Sequence, residues 1–489
     1  MSATAHPTAT PGSTPATAPL RFAGGWTLSF VPLVVFLAGC VTYFVVFKAF
    51  DLSALAMAAF VGLLAGSVAC RENPRYWDAA VRGISSPASV TIVLILFVIG
   101  MYSELVKTSG VAGGFAWLAE TLGITGAGFT VFTFLAVCTV AVSTGSSIGT
   151  MFTAFPVFFA AGPAVGAEPA VLAGAIVSGA IFGDNLAPVS DTTIISASTQ
   201  SFRTRPGTAD VGGVVRSRAP YALVAAAFST VVFALLGGAA DGAARAPELA
   251  GAGAPRGLWM LLPVVAVLVV AVRTRDIFRA VAVGLVLGTL TALAAGLISP
   301  AQVLSVSEGA PAGYLVTGTT AVLGTVALVI GVFGVMGVLV EAGVLDRLTS
   351  ALRSGRLGRT PAGAEVAIAV GSTVTTVLFG GVNSASMIAF GPVADEIGGR
   401  AGLHPYRRSN VLDCFAMGLG CVVPFLSAFL FIGATLVEGN GAPVSAGALF
   451  AGTVYPLALT AVMAVCVLTG WGRRFEAAGG AAVKQRPVA

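Results

Sequence analysis

The chain has 489 residues, of which 56% are hydrophobic and only 10% are charged, and its formal net charge is +5. Soluble domains carry roughly 25% charged residues, so the composition excludes a soluble globular protein. Successive apolar runs of spanning length predict an all-α polytopic membrane protein. The two histidines and the six cysteines, which show no CxxC spacing, argue against a transition-metal site. We therefore expect neither an enzyme nor a cofactor nor a nucleic-acid partner.

The chain divides into five segments. Residues 1–25 are rich in Ala, Thr and Pro and lack the apolar core of a signal peptide, which predicts a disordered N-terminal tail. Residues 26–238 and 257–470 are predicted to form two transmembrane repeats. A Gly/Ala/Pro-rich linker over residues 239–256 joins them, and residues 471–489 form a C-terminal tail.

A polar stretch over residues 183–193 interrupts a run that otherwise has the composition of a membrane span. It holds two carboxylates, Asp184 and Asp191, on either side of Pro188. A helix cannot continue normally through a proline, and backbone freed at membrane depth must be buried in protein or line a wet cavity. Ionisable groups at that depth are a functional-site hypothesis by default. The stretch therefore predicts the break of a discontinuous helix that binds a cation, with Na+ as the metal ion on Asp191 and Asp184.

Oxygen-bearing side chains elsewhere are predicted to complete the ion site. The candidate ion- or proton-binding residues beyond the two carboxylates are Asn185, Ser190, Thr192, Thr193, Thr144, Ser146, Ser147, Asn383, Ser384 and Asp413. Thr144, Ser146 and Ser147 belong to a polar centre within residues 129–161, and Asn383 and Ser384 to a similar centre within residues 367–390. Asp413 is interpreted as a proton relay, and Pro424 marks a second helix break.

Each candidate also has a structural interpretation. Asp191 can cap the half-helix that follows it, because Asp is a favoured N-cap. Asp184 can form a buried pair with an arginine, and the polar centres can serve as small packing residues between helices. Asp413 lies six and five residues after Arg407 and Arg408, whereas helical neighbours lie three or four apart. An ion-pair partner for Asp413 would therefore have to come from another helix.

The two halves share a repeat offset. Pro188 and Pro424 are separated by the same 236 positions as Pro156 and Pro392, and both pairs fall at matching polar breaks. Duplicated halves with paired broken helices are the sequence pattern of a secondary transporter.

Basic loops predict how the chain crosses the membrane. If residues 129–161 dip into the membrane and return, the arginine-rich loops over residues 71–82 and 203–218 lie on one side, the cytoplasmic one. The same argument applies to the second half. Each half then has five crossings and one re-entrant hairpin, and because five is odd the halves are inverted. We expect a multi-pass protein of the cell membrane with both termini in the cytoplasm. The sequence leaves open whether it forms a homodimer.

Three motifs carry a family resemblance. Residues 183–193 (GDNLAPVSDTT) resemble the GD-x-x-SP-x-SDTT signature of the NhaC-type sodium/proton antiporter family, and residues 143–150 (STGSSIGT) resemble that family's hairpin. Residues 408–413 (RSNVLD), with Pro424 eleven positions later, are similar to its second-half pattern. The resemblance implies the ion transporter fold of inverted repeats, hairpins and broken helices. The chain departs from the family pattern at Asn185, Ala187, Ile148 and Phe425.

The resulting hypothesis is exchange of Na+ for H+ across the cytoplasmic membrane by alternating access. Two close carboxylates in a low dielectric cannot both stay ionised without a cation, so Na+ entry would expel a proton. The alternative is a Na+- or proton-coupled exchanger of a small organic anion or amino acid. We expect no arginine or lysine within the spans, which favours the cation-only hypothesis. A passive channel suits paired breaks less well, and an intramembrane aspartyl protease would need a Gly at Ile181.

Overall fold

The computed structural model describes most of the chain. The described residues are 18–47, 52–110, 114, 117, 121, 126–238, 255–274, 276–307, 309–354, 360–438 and 444–487. Residues 1–17 of the predicted N-terminal tail and 239–254 of the predicted linker lie outside them.

The described part of the first half contains nine α-helices. They are α1 (Val31–Val41), α2 (Leu52–Ala69), α3 (Asn73–Ile84), α4 (Pro87–Thr108), α5 (Gly126–Thr144), α6 (Ser147–Ala154), α7 (Pro169–Leu186), α8 (Asp191–Ser198) and α9 (Val211–Leu236). A short π-helical turn, Phe155–Phe159, extends α6.

The described part of the second half contains twelve α-helices and four short strands. The helices are α10 (Leu261–Thr274), α11 (Ile277–Ala294), α12 (Pro300–Val303), α13 (Tyr314–Ala321), α14 (Leu323–Glu341), α15 (Val344–Ser354), α16 (Pro361–Leu378), α17 (Asn383–Arg400), α18 (Pro405–Ala416), α19 (Ala428–Glu438), α20 (Ala446–Gly452) and α21 (Val454–Thr469). The strands form two antiparallel hairpins, β1 (Ser305–Ser307) with β2 (Ala310–Ala312) and β3 (Phe475–Glu476) with β4 (Ala482–Val483).

The helices confirm an all-α multi-pass membrane protein. Within the described residues, six helical segments are long and apolar enough to cross a bilayer, or seven if the bent pair α20 and α21 is one span. Several shorter apolar helices, such as Phe278–Ala294, accompany them. The first arms of the two predicted hairpins, α5 and α16, reach spanning length themselves. Length alone therefore does not separate a re-entrant hairpin from a crossing, and the hairpins stay a prediction.

Helix starts repeat along the chain at the offset seen in the sequence. α4 and α14 begin at Pro87 and Leu323, and α7 and α18 begin at Pro169 and Pro405. Both pairs are 236 positions apart, which agrees with a duplication. The inverted orientation of the two halves stays a prediction.

Two hydrophobic clusters hold the helices together. The larger one is built from α4 to α7, α9 to α11, α16 to α19 and α21, and it surrounds the break between α7 and α8. The smaller one joins α1, α2 and α3 to α14. The first break therefore lies inside the larger core, and the second lies where the two clusters meet.

The last part of the predicted N-terminal tail, residues 18–25, is ordered. The Leu20 N–H donates to the Glu341 carbonyl (3.2 Å), and the Ala23 N–H donates to the Ala69 carbonyl (3.0 Å). Leu20 and Phe22 are buried. The boundary at residue 25 is therefore wrong for residues 18–25, because these backbone contacts fix them to α2 and α14.

Candidate ion-binding site

Both predicted breaks interrupt helices inside the core. α7 ends at Leu186 and α8 begins at Asp191, with Pro188 between them. Ala187 is extended (ψ 127°), as expected for the residue before a proline. Pro424 lies in the gap between α18 and α19.

Each hairpin tip packs against the break of its own half. Gly145, between α5 and α6, has φ +68°, and a Cβ there would lie 3.0 Å from the Ser190 backbone nitrogen. Gly381, which precedes α17, has φ +82°, and a Cβ there would lie 3.2 Å from the Cys421 carbonyl oxygen. The close approach and the left-handed backbone both require glycine at these two repeat-related positions.

Asp184 lies at the centre of the first break and is only 4% exposed. Its carboxylate accepts hydrogen bonds from the hydroxyls of Ser147 (2.5 Å), Thr192 (3.1 Å) and Ser190. The Ser190 and Thr192 hydroxyls are also hydrogen-bonded to each other (2.8 Å). Among the described residues, hydroxyl groups and not an arginine thus surround this buried carboxylate.

Asp191 lies on the other side of the break and is exposed. It is the first residue of α8 and not its N-cap, which is Ser190. Its Oδ1 accepts from the Thr192 N–H (2.9 Å), and the Ser384 hydroxyl from the second hairpin tip donates to its Oδ2. The capping interpretation is therefore wrong in position, although Asp191 still occupies the favourable first turn of α8.

A cavity of about 80 Å³ joins these elements. Its lining residues are Ser146, Ser147, Ile148, Asp184, Asp191, Thr192, Val382, Asn383, Ser384 and Phe429. It therefore brings both carboxylates together with oxygen-bearing side chains from both tips. Such an all-oxygen set suits a hard cation.

The remaining predicted ligands lie outside this cavity. The Thr144 hydroxyl is hydrogen-bonded to the Thr150 hydroxyl (3.0 Å). The Thr193 hydroxyl approaches the Asp184 backbone carbonyl (3.4 Å), behind the carboxylate. Asn383, by contrast, lines the cavity, and its amide nitrogen donates to the Gly381 and Ala416 carbonyls (3.1 and 3.2 Å) in the orientation that satisfies both amide atoms.

Asp413 belongs to a separate buried cluster. Its Oδ2 lies 2.8 Å from Arg218 Nη1 and accepts from the Ser196 hydroxyl (2.9 Å). Its Oδ1 accepts from the side-chain amide nitrogen of Asn185 (2.7 Å). The side-chain oxygen of Asn185 accepts in turn from the Tyr455 hydroxyl (3.0 Å). Asp413 is therefore held in an ion pair and does not line the cavity, so the structure favours the pairing interpretation over the proton relay.

The expectation of no arginine within the spans is wrong. The sequence predicts an arginine-rich loop over residues 203–218, but α9 begins at Val211, so Arg218 lies inside the helix and is fully buried. The missed signal was Asp210, whose carboxylate accepts from the Gly213 N–H (2.6 Å) as an N-cap. An Asp before the apolar run marks a helix start and would have placed Arg218 two turns inside it.

Comparison with known proteins indicates which class of protein the chain resembles. Residues 12–238 match the model of the Na+/H+ antiporter family. The match covers the motifs at residues 143–150 and 183–193, and it confirms the predicted resemblance to this family of antiporters.

Two curated relatives and one solved structure extend the comparison. The malate-2H+/Na+-lactate antiporter of Bacillus subtilis is 31% identical over 273 residues, which are 54% of this chain and 56% of that protein. The Na+/H+ antiporter NhaC of Alkalihalophilus pseudofirmus is 46% identical over 65 residues, which are 13% of this chain and 14% of that protein. The chain therefore matches about half the length of the first relative and less of the second. The crystal structure of the Alcanivorax borkumensis YdaH transporter aligns with a TM-score of 0.37 at 13% identity, covering 86% of this chain and 99% of that one.

Proposed function

We propose that this protein is a secondary transporter that exchanges Na+ for H+ at the cavity between the two hairpin tips. The observation that carries the proposal is that Asp184 and Asp191 line one cavity of about 80 Å³ together with hydroxyl oxygens of both tips. A water occupies about 30 Å³ in the liquid and small-molecule sites have about 300–1,000 Å³. The cavity therefore suits an ion with a few waters better than an organic solute.

The oxygens around Asp184 supply the coordination chemistry. The hydroxyls of Ser147, Ser190 and Thr192 already point at the carboxylate. Na+ bound at Asp184 would turn these hydroxyls from donors to the carboxylate into ligands of the ion. Transporter sites of this kind use broken helices because the break leaves oxygens free at mid-membrane.

Competition between Na+ and H+ supplies the coupling. Asp184 is buried in the core, and Asp191 lies on the same cavity. A buried carboxylate beside a second carboxylate keeps its charge only at a high cost in free energy unless a cation is bound. In the absence of Na+ a proton neutralises the buried Asp184, and Na+ binding in the cavity releases it.

The discriminating experiment uses the full chain in proteoliposomes with an internal pH dye. An imposed Na+ gradient should move protons in wild type without any organic acid present. The proposal is contradicted if Na+ moves no protons, or if proton movement appears only when an organic anion is added.

A second candidate is a Na+- or proton-coupled exchanger of a small organic anion. Its support is the name of the Bacillus subtilis relative, a malate-2H+/Na+-lactate antiporter, and the buried Arg218, which removes the argument against an anion. Arg218 is, however, paired with Asp413. Organic-acid dependence in the same flux assay separates the two candidates.

Contacts between loops support a proposed topology. The Arg203 N–H donates to the Glu476 carboxylate (2.6 Å), and the His404 N–H donates to the Arg474 carbonyl (2.9 Å). The arginine-rich loops before α9, before α18 and after α21 therefore share one face. Because basic loops are enriched on the inside, we assign this face and both termini to the cytoplasm.

A further inference from the structure

A second cavity, of about 600 Å³, lies away from the ion cavity and shares none of its lining residues. Its walls come from the start of α9, the start of α18 and the segment after α21, with Lys484 from the residues that follow β4. Its volume falls within the usual range for small-molecule sites.

Four cationic side chains line this cavity: Arg407, Arg473, Arg474 and Lys484. Glu365 accepts from Arg407 Nε (2.7 Å) and from Arg473 Nη2 (2.8 Å), so one carboxylate serves two guanidinium groups. Within the described part of the chain, Arg474 and Lys484 form no ion pair with their side chains. The walls therefore carry an excess of positive charge.

One guanidinium is also incompletely hydrogen-bonded. Arg473 Nε is buried without a hydrogen-bond partner among the described residues. A buried donor left unpaired is costly, and native structures rarely keep one without a ligand or water. Arg473 therefore has a donor that the described protein groups leave unused.

We propose that this cavity binds a small anion that carries at least two negative charges, as carboxylate or phosphate groups. Arg473 Nη2 already donates to Glu365 and to the Val467 carbonyl, so the anion would bind to the remaining N–H groups of the arginines and to Lys484, with charge from Arg474 and Lys484. Tyr221 and Trp471 line the cavity beside these groups and offer apolar ring surface to the ligand's carbon skeleton. The proposal concerns binding and does not depend on Na+/H+ exchange.

The floor of the cavity connects to the buried core. Asn410 and Ser217 both line it, and the Asn410 amide donates to the Ser217 hydroxyl (2.8 Å). The Asn410 side-chain oxygen accepts from Arg218 Nε (3.4 Å), and Arg218 binds both halves of the broken helix. An anion in the cavity would thus lie one side chain away from the groups that hold the break together.

Calorimetric titration of the purified full chain in detergent tests the proposal, with citrate and inorganic pyrophosphate as probes. Arg474→Gln combined with Lys484→Gln should weaken binding of either probe roughly tenfold or more, because two unpaired charges are lost. The matched control is Arg216→Gln combined with Arg486→Gln, which removes two exposed charges near the same loops and should change the affinity by less than about twofold.

A second experiment distinguishes a soluble anion from the headgroup of an anionic lipid. Native mass spectrometry after purification should show whether wild type retains anionic phospholipid that the Arg474→Gln, Lys484→Gln variant loses. Loss of soluble-probe binding or of retained anionic lipid in that variant alone supports the site. Binding of neither in wild type, or equal losses in the Arg216→Gln, Arg486→Gln control, overturns it.

Discussion

Arg218 and Asp413 form a fully buried ion pair, with Nη1 and Oδ2 2.8 Å apart. The same guanidinium donates to the Asn185 carbonyl (2.6 Å) at the end of α7 and to the Ser196 hydroxyl (3.0 Å) in α8. It therefore ties both halves of the broken helix to α18. This arrangement gives the broken span a rigid support directly behind Asp184.

Removing one partner of this pair should strongly destabilise the protein. We expect Arg218→Ala to lower the free energy of unfolding by about 3–5 kcal/mol, because Asp413 would be left buried and unpaired. Thermal unfolding of the purified protein in detergent measures the loss. The exposed pair of Arg400 and Glu396 is the control, and Arg400→Ala should cost less than about 1 kcal/mol. Equal stability of Arg218→Ala and wild type would contradict the supporting role of Arg218.

The hairpin hydroxyls should set the apparent Na+ affinity. Ser147→Ala and Ser384→Ala each remove an oxygen that contacts a carboxylate of the ion cavity. The Na+ concentration for half-maximal exchange should rise about two- to tenfold, as expected for the loss of one hydrogen-bonding group.

Ser143→Ala is the matched control for the hairpin. The Ser143 hydroxyl donates only to the Thr139 carbonyl of its own helix (2.8 Å), and Ser143 does not line the cavity. An unchanged Na+ dependence in both Ser147→Ala and Ser384→Ala would show that the hairpin tips contribute to packing and not to Na+ binding.

Cysteine labelling tests the proposed topology. The six native cysteines are buried, which keeps background labelling low. A cysteine replacing exposed Arg486 should react with a membrane-impermeant reagent only from the inside, and one replacing Val306, which is 74% exposed, only from the outside. Labelling of both positions from one side would show that the number of crossings between them is even and that the proposed topology is incorrect.

Local sequence chemistry was enough to predict the break at Pro188. A proline lacks the N–H that a helix needs, so this interruption does not depend on distant residues. The polar tips were also predictable, because hydroxyl and amide groups interrupt otherwise apolar runs. The structure then shows what local patterns could not: that Ser384 reaches Asp191, 193 positions away along the chain.

Arg218 illustrates why local sequence patterns do not predict the buried cluster around Asp413. Hydropathy alone assigns a span to its apolar residues, so it predicts that Arg218, near the start of α9, belongs to a loop. Its pairing with Asp413 joins residues of different halves, and only the packing of α9 against α18 brings them together. The roles of Asn185 and Tyr455 depend on the same packing, since the Tyr455 hydroxyl donates to Asn185 across 270 positions of sequence.

Na+ binding as a function of pH tests the shared use of Asp184 and Asp191 most directly. Binding to the purified full chain should be measured by calorimetry over several pH values, with Asp184→Asn and Asp191→Asn beside wild type. If one Na+ displaces one proton, the apparent dissociation constant should rise about tenfold for each pH unit lowered in the range where the site is protonated. Each variant should lose this dependence together with most of its Na+ affinity. Wild-type Na+ affinity that does not change with pH, or wild-type binding by both variants, would contradict the account.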